Sequence, residues 1–342
     1  MLLAQHVDSE IFTTHVCTFT HGDLVDQLNE LGVVTTVIPL SHSLVHFVKL
    51  ISFLRKNAFD VVHCHSGGYA CLAAKIAGNS CIVYTKHGVG FTQEELLRRT
   101  LVRRLRDWLV DRCVDRYIAV TQHDKEIMVR VLKLSSKKIE VIYNGIDPPF
   151  VRAKSSKGAK RPVIGVVGRL TKQKGISYLL EAVPTIIERF GNLRVLIVGS
   201  GEEEVHLKNM TRKLGITASV EFTGYTRRAA ELIAQMDVFV LPSIWEGFPY
   251  VLLEAMMLKK PIVASGIFGI MEIIENERTG ILVAPRDTQS IANAVLTLLT
   301  DENKAQTLGH AAYERAIKNF TLHQTTSNTE RLYRSLVRTV LQ

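Results

Sequence analysis

Apolar residues recur along this chain in two alternating patterns. Runs of four or five residues rich in Val and Ile, such as VIGVV at 163–167, RVLIV at 194–198 and DVFVL at 237–241, are too short for helices and apolar on both faces, as buried parallel strands are. Between them lie longer stretches with apolar positions three and four apart, the period of a helix with one buried face. In order, the first half reads as a helix tail at 1–10 (Leu2, Leu3 and Val7 on one side), a strand at 15–20, a helix at 24–31 closed by Gly32, and a strand at 33–39. A helix at 44–56, a strand at 60–63, a helix at 70–77 and a strand at 82–84 follow, then a helix at 94–113 and strands at 116–120 and from 141. The second half adds a helix up to residue 190 that Pro184 is expected to interrupt and kink, and strands at 194–198, 220–225 and 237–241. After them come a helix opening near Tyr250, strands at 261–264 and 279–283, and helices at 291–299, 305–317 and 332–340. Strand alternating with helix predicts an α/β protein with parallel sheets.

The chain has 342 residues, more than one hydrophobic core usually supports, which predicts two domains. Residues 151–161, VRAKSSKGAKR, are basic and without period, and read as the linker between a domain at 1–150 and one at 162–320. No apolar run reaches bilayer length and no signal peptide precedes residue 20, so the expected location is the cytoplasm. Five cysteines, Cys17, Cys64, Cys71, Cys81 and Cys113, have no C-x-x-C pairing and read as reduced, buried thiols. A formal charge of +9 favours anionic partners without choosing among nucleotide, lipid and nucleic acid.

Candidate chemistry gathers where predicted strands end. DVFVLPSIWEGFPYVLLEAM passes from strand through a Pro- and Gly-containing loop into a helix, and its loop bears Glu246 while its helix bears Glu254. A helix opening there presents unpaired amides and the positive end of its dipole, and a carboxylate can accept both hydrogen bonds of a sugar diol. Taken alone, two such glutamates read first as surface charges. In GRLTKQKG, Gly168 allows a tight turn while Arg169 and Lys174 bring two cations to a helix mouth, a pattern suited to phosphate. VGSGEE adds a glycine turn at Gly199 and Gly201 that falls short of a dinucleotide fingerprint. VHCHS places His63 and His65 on one face of a strand end, and His87 follows the next strand. Three such histidines could bind zinc, but they lack metal-ligand spacing and read first as hydrogen-bond formers.

EGFPYVLLEA resembles the Glu-x7-Glu signature of the retaining glycosyltransferases of family 4 type, whose GT-B fold pairs two facing Rossmann-like domains. GRL…KG at 168–175, HG at 87–88 and VIYNGID at 141–147 match further strings of that family. The resemblance implies that Glu246 and the backbone of Gly247, Phe248, Pro249 and Tyr250 meet the donor sugar and phosphate, that Glu254 grips the ribose, and that Arg169 and Lys174 hold the diphosphate. Gly168, Gly199 and Gly201 would allow close approach of backbone to donor. His87 would lie near the donor sugar, with His65 and Asn144 as further candidates. Gly269 and Glu272 fit a looser family string in which Met271 replaces the usual Pro, and a final helix at 321–342 would return to the first domain.

The implied reaction is transfer of a sugar, with retention, from a nucleoside-diphosphate sugar to a glycan or lipid-linked acceptor. No Asp-x-Asp occurs in the chain, so cations rather than a metal are expected at the diphosphate, and no cofactor is expected. The helix at 94–113 is expected to pack through Leu97, Leu101, Leu105 and Trp108, with Arg98, Arg99, Arg103, Arg104 and Arg106 on its other faces. A solvated helix face explains those arginines, and an anionic membrane surface is the functional alternative. Nucleic acid is not expected, because no interleaved aromatics accompany them. Family members begin with a strand and a glycine-rich loop that this sequence lacks, which implies a misplaced start or a truncated gene. Two other readings follow: a non-catalytic or truncated nucleotide-binding relative, and a sugar-nucleotide epimerase of the same fold, disfavoured by the Glu-x7-Glu string.

Overall fold

The computed structural model describes residues 2–39, 44–65, 68–88, 101–149 and 161–341, and only the backbone of 101–104, 340 and 341. The chain folds as two compact units, one made of residues 1–144 with 322–342 and the other of residues 145–321. Most of the expected linker, residues 151–160, lies outside the described residues.

The second unit is built on one parallel sheet of β7 (Val163–Val167), β8 (Arg194–Val198), β9 (Val220–Gly224), β10 (Val238–Leu241), β11 (Ile262–Ser265) and β12 (Ile281–Val283), in spatial order β12-β11-β10-β7-β8-β9. The apolar runs that predict these strands are its centre: Val166, Ile197, Val238 and Val240 have no exposed surface. Helices cover the sheet, and Leu179, Leu180, Val183 and Ile186 of helix Ile176–Arg189 are fully buried against it. Each such side chain contributes about 1.5–3 kcal/mol through burial. That helix continues through Pro184, so the expected interruption does not occur.

The order of strands matters more than their number. From β7 the chain winds outward through β8 and β9, then returns to the other side of β7 as β10 and winds the opposite way. The loops leaving β7 and β10 therefore diverge and leave a crevice at the carboxyl ends of these two strands, where open α/β sheets bind ligands.

In the first unit, β1 (His15–Thr18) pairs with β2 (Val34–Val37), while β3 (Val62–Cys64), β4 (Ile82–Lys86), β5 (Arg116–Ala119) and β6 (Ile139–Val141) form a separate parallel sheet. Among the described residues β1 and β3 each have one strand partner. Cys17 and Phe19 nonetheless pack on the core beside β3 and β4.

Two expectations for helices need correction. The last helix runs over Leu322–Leu341 and begins ten residues before the apolar pattern predicts. Its buried face starts with Leu322, Thr326 and Thr329, and the Thr326 and Thr329 hydroxyls donate to the carbonyls of Leu322 and Thr325. It packs on the first unit through Leu332, Tyr333 and Leu336. The second correction concerns helix Leu101–Cys113, which buries Val110 and Cys113, with Val114 just beyond it, and leaves Leu105 59% and Trp108 50% exposed. The expected packing stripe thus faces solvent where it is described, because the apolar positions nearer the helix end fit the core better. Leu97, Arg98 and Arg99 lie outside the described residues, and the side chains of Leu101, Arg103 and Arg104 do as well.

Candidate active site

The crevice between β7 and β10 is closed at its floor by backbone contacts that only small residues allow. Gly175 has φ +60°, and a Cβ placed on it would stand 2.1 Å from the Pro242 carbonyl oxygen. Gln173 joins the same two loops twice: its carbonyl accepts from the Ile244 amide at 2.8 Å, and its side chain donates to the Trp245 carbonyl at 3.0 Å. On the other flank, the Gly168 amide donates to the Val198 carbonyl and the Leu170 amide to the Ser200 carbonyl. A Cβ on Gly199 would meet the Gly168 oxygen at 2.0 Å, and one on Gly201 the Leu170 oxygen at 2.4 Å. Gly199 and Gly201 therefore hold two loops together in this structure.

On this floor Lys174 and Glu246 meet. The Lys174 Nζ lies 2.6 Å from Glu246 Oε1, with the side chains only 13% and 7% exposed. The Lys174 stem crosses Gly168, where a Cβ would approach its Cε to 3.2 Å. Ser243, fully buried, donates to the same carboxylate oxygen at 2.7 Å. Among the described residues nothing bonds to Glu246 Oε2. Removing either partner of so buried a pair would leave an uncompensated charge, at a cost of roughly 3–5 kcal/mol.

Arg169 differs. It is exposed, and its guanidinium has no hydrogen-bond or ion-pair partner among the described residues. Two helices begin at this crevice, Ile176–Arg189 and Tyr250–Met257, and neither has a side chain capping its first amides. Thr121, Asp287 and Asp301 cap helices elsewhere, while helices Asp23–Glu30, Glu204–Lys213, Ala229–Ala234 and Phe268–Met271 also lack a side-chain cap. Uncapped amides and a free guanidinium together make a place for an anion.

Glu254, in helix Tyr250–Met257, is half-buried, and burial alone pushes its carboxyl up to about 7. Its ionisation costs the folded unit stability as pH rises from the ordinary carboxylate range through about 7, because there only the unfolded chain has already released the proton. A ligand offering hydroxyl donors would favour the ionised form.

Of the loop residues assigned to the donor by resemblance, Gly247, Phe248 and Pro249 are buried and Tyr250 is 38% exposed. Phe248 turns its ring towards Phe320 at 5.3 Å. Pro249 has no N–H and so offers no amide to a ligand. Sequence reading missed Gln173 and Ser243, which carry no recognisable signal, and the reason for Gly269. A Cβ on Gly269 would stand 2.0 Å from the Gly247 oxygen and 2.5 Å from that of Glu246, so helix Phe268–Met271 supports the loop from behind.

The remaining candidates lie in the first unit. His63 spans Thr85 Oγ1 at 2.6 Å and the Tyr333 hydroxyl, while His65 Nδ1 lies 2.9 Å from His87 Nε2. Enclosure by protein, then the neighbouring imidazoles, lower His63, and the same causes bring His65 to about 3 even though the residue keeps surface in solvent. Enclosure lowers His87 as well. All three are neutral at physiological pH. Among the described residues no group of three His, Cys, Asp or Glu could hold a metal ion. Asn144 is buried.

Comparison with known proteins accounts for this arrangement. Residues 147–315 match the family model of the glycosyl transferases group 1 and residues 1–150 that of Glycosyltransferase Family 4. The UDP-Gal:alpha-D-GlcNAc-diphosphoundecaprenol alpha-1,3-galactosyltransferase of Escherichia coli is 30% identical over 96% of this chain and 90% of its own length. The capsular polysaccharide biosynthesis glycosyltransferase CapM of Staphylococcus aureus is 24% identical over 95% and 90% of the two chains. The crystal structure of Anabaena Alr3699/HepE in complex with UDP-glucose superposes with a TM-score of 0.83 at 24% identity, covering 94% of this chain and 91% of that one. Matched by these models in both halves and related over nearly its whole length to a galactosyltransferase, the chain belongs to the group 1 glycosyltransferases of family 4 type and has the GT-B fold.

Proposed function

We propose that the chain transfers a sugar, with retention and without a metal ion, from a nucleoside-diphosphate donor of the UDP-sugar class to a lipid-linked or glycan acceptor. The observation that carries this reading is the free guanidinium of Arg169 beside the buried Lys174–Glu246 pair, at a crevice onto which two uncapped helices open. The Escherichia coli relative is named for UDP-Gal and a diphosphoundecaprenol acceptor, and the Anabaena structure contains UDP-glucose. Both support the choice of donor class.

Breaking the bond between sugar and diphosphate places negative charge on the leaving oxygen. Lys174 and the helix amides are already held there, so little reorganisation is needed as that charge develops, and the uncommitted Arg169 guanidinium adds a cation that can turn to the diphosphate. Cations in this position do the work a divalent metal does elsewhere, in keeping with the lack of an Asp-x-Asp in the sequence. The acceptor hydroxyl attacks from the face the diphosphate leaves, which retains configuration, and passes its proton to the departing phosphate oxygen. Glu246 Oε2 is open to a sugar hydroxyl and Glu254 to the ribose diol.

Location in the cytoplasm against the inner face of the membrane follows from such an acceptor. No helix among the described residues is long and apolar enough to cross a membrane. Helix Leu101–Cys113 instead presents Leu105, Trp108 and Leu109 together with exposed Arg106 and Arg112, and the Arg112 guanidinium lies 4.3 Å from the Trp108 ring centroid. An apolar and basic face of this kind suits the headgroup layer of an anionic bilayer.

Three outcomes test these statements. Arg169→Ala removes an exposed side chain, so the melting temperature stays put while turnover with a UDP-sugar falls about 10²–10³-fold; unchanged turnover ends the phosphate assignment. In calorimetric titration with UDP, Glu254→Gln weakens binding by about tenfold or more, the loss of a charged hydrogen bond, whereas Glu246→Gln, which frees the Lys174 charge for the diphosphate and lowers the melting temperature, binds UDP no more weakly than wild type and loses transfer. Wild-type binding near pH 7 also releases protons as Glu254 ionises, which makes the measured enthalpy depend on the buffer, and Glu254→Gln abolishes that dependence. Equal loss of UDP affinity in both variants contradicts this division of labour. In vesicle co-sedimentation, binding requires anionic lipid, fades with salt and drops further in Trp108→Ala; binding indifferent to lipid charge would leave helix Leu101–Cys113 as scaffold.

A further inference from the structure

Three imidazoles stand in a row at the carboxyl edge of the first unit's larger sheet. Strands β3 and β4 are parallel neighbours, with His63 opposite Val83 and Cys64 opposite Tyr84. In that register His65, one residue beyond β3, falls opposite Thr85, and His87, two residues further on the neighbouring chain, is its diagonal neighbour on the same face. The rings of His63 and His65 are 4.1 Å apart at 30°, and those of His65 and His87 are 5.2 Å apart at 22°.

The row is anchored at one end. Both nitrogens of His63 are committed, Nε2 to Thr85 Oγ1 and Nδ1 to the Tyr333 hydroxyl. Thr85 and Tyr333 are 4% and 9% exposed, and Tyr333 belongs to helix Leu322–Leu341, which packs on this unit. His63 is thus a fixed wall. His65 lies flat against it, and its Nδ1 is paired with His87 Nε2 at 2.9 Å. Either His65 Nδ1–H donates and both rings are protonated at Nδ1, or His87 Nε2–H donates and both are protonated at Nε2, so the bond sets the ring plane of His87 and ties its tautomer to that of His65. His87 itself follows the strand end and precedes Gly88, at φ +97°, so its backbone neighbour does little to restrain its side chain.

We infer that His65 is a positioning residue: it holds the His87 imidazole in one orientation and couples the tautomer of that ring to its own, using His63, locked by Thr85 and Tyr333, as its backstop. The inference rests on the reading in which His87 contacts the sugar being transferred. An unrestrained histidine would sample several rotamers and both tautomers, and only a fraction of these would meet a sugar hydroxyl with the right donor or acceptor. Fixing the ring in advance removes that loss.

Asparagine places an amide atom close to where histidine has Nδ1, which separates this role from simple packing. The expected result is that His65→Ala lowers kcat about tenfold with KM within about threefold, that His65→Asn recovers most of the rate, and that adding His65→Ala to His87→Ala costs almost nothing more, as expected of residues acting through one contact. In 15N-labelled protein the His65 and His87 rings show the same tautomer in wild type, and the tautomer population of His87 changes in His65→Ala. If His87→Ala reduces transfer while His65→Ala leaves it intact, or if the two losses multiply, the positioning role is wrong while the assignment of His87 survives. If His87→Ala transfers at the wild-type rate, the assignment of His87 fails and the positioning role fails with it. Melting temperatures of His65→Ala and His65→Asn identify loss of fold, and the tautomer measurement on His65→Asn decides the matter if the alanine variant is unstable.

Discussion

The second unit depends on two loops being held against each other at one place, where the chain leaves β7 and β10 in opposite directions. Parallel strands bring many backbone groups to one edge, and the switch in winding opens that edge, but neither fixes what stands in the gap. Gln173 bonds twice to the loop after β10, and Gly175 lies so close to the Pro242 carbonyl that no side chain fits. Across this seam lies the Lys174–Glu246 ion pair. The pair binds two elements distant in sequence, and it places a cation and a half-committed carboxylate where a sugar diphosphate would bring an anion and hydroxyls.

Pairing also changes what each charge does. Lys174 approaches a ligand with part of its charge already answered by Glu246, whereas Arg169 is exposed and uncommitted. The two cations of the loop after β7 are therefore unequal: Lys174 is committed to the scaffold through Glu246, and Arg169 is left uncommitted for the anion proposed to bind there. Glu254 completes the contrast, since its carboxyl is raised by burial with no cation to lower it. One carboxylate is paired with a cation, and the other is buried without one, so that a ligand's hydroxyl donors would favour its ionisation.

The strands of both units were legible because their apolar runs are short, rich in Val and Ile and bounded by Gly or Pro, as at β7, β8 and β10. Helix Tyr250–Met257 was legible because Pro249 halts the loop and good helix formers follow. The final helix was not, since Thr326 and Thr329 sit on its buried face and satisfy their hydroxyls on the preceding turn, so a buried stripe reads as polar. Helix Leu101–Cys113 misleads for the opposite reason: Leu105 and Trp108 have helical spacing yet face solvent, and periodicity does not say which face meets the sheet. At the site, charged residues could be named from their setting in strand-end loops. The contacts that place them come from Gln173, Ser243 and Gly269, and close approach between distant segments leaves no mark on local sequence.

A crystal structure of the chain with UDP bound would test the central claim most directly. The account predicts pyrophosphate oxygens within hydrogen-bond distance of the Arg169 guanidinium and the amides opening helix Tyr250–Met257, with the ribose diol on Glu254. UDP bound away from the crevice between β7 and β10, or bound there with its phosphates turned from Arg169 into solvent, would contradict it.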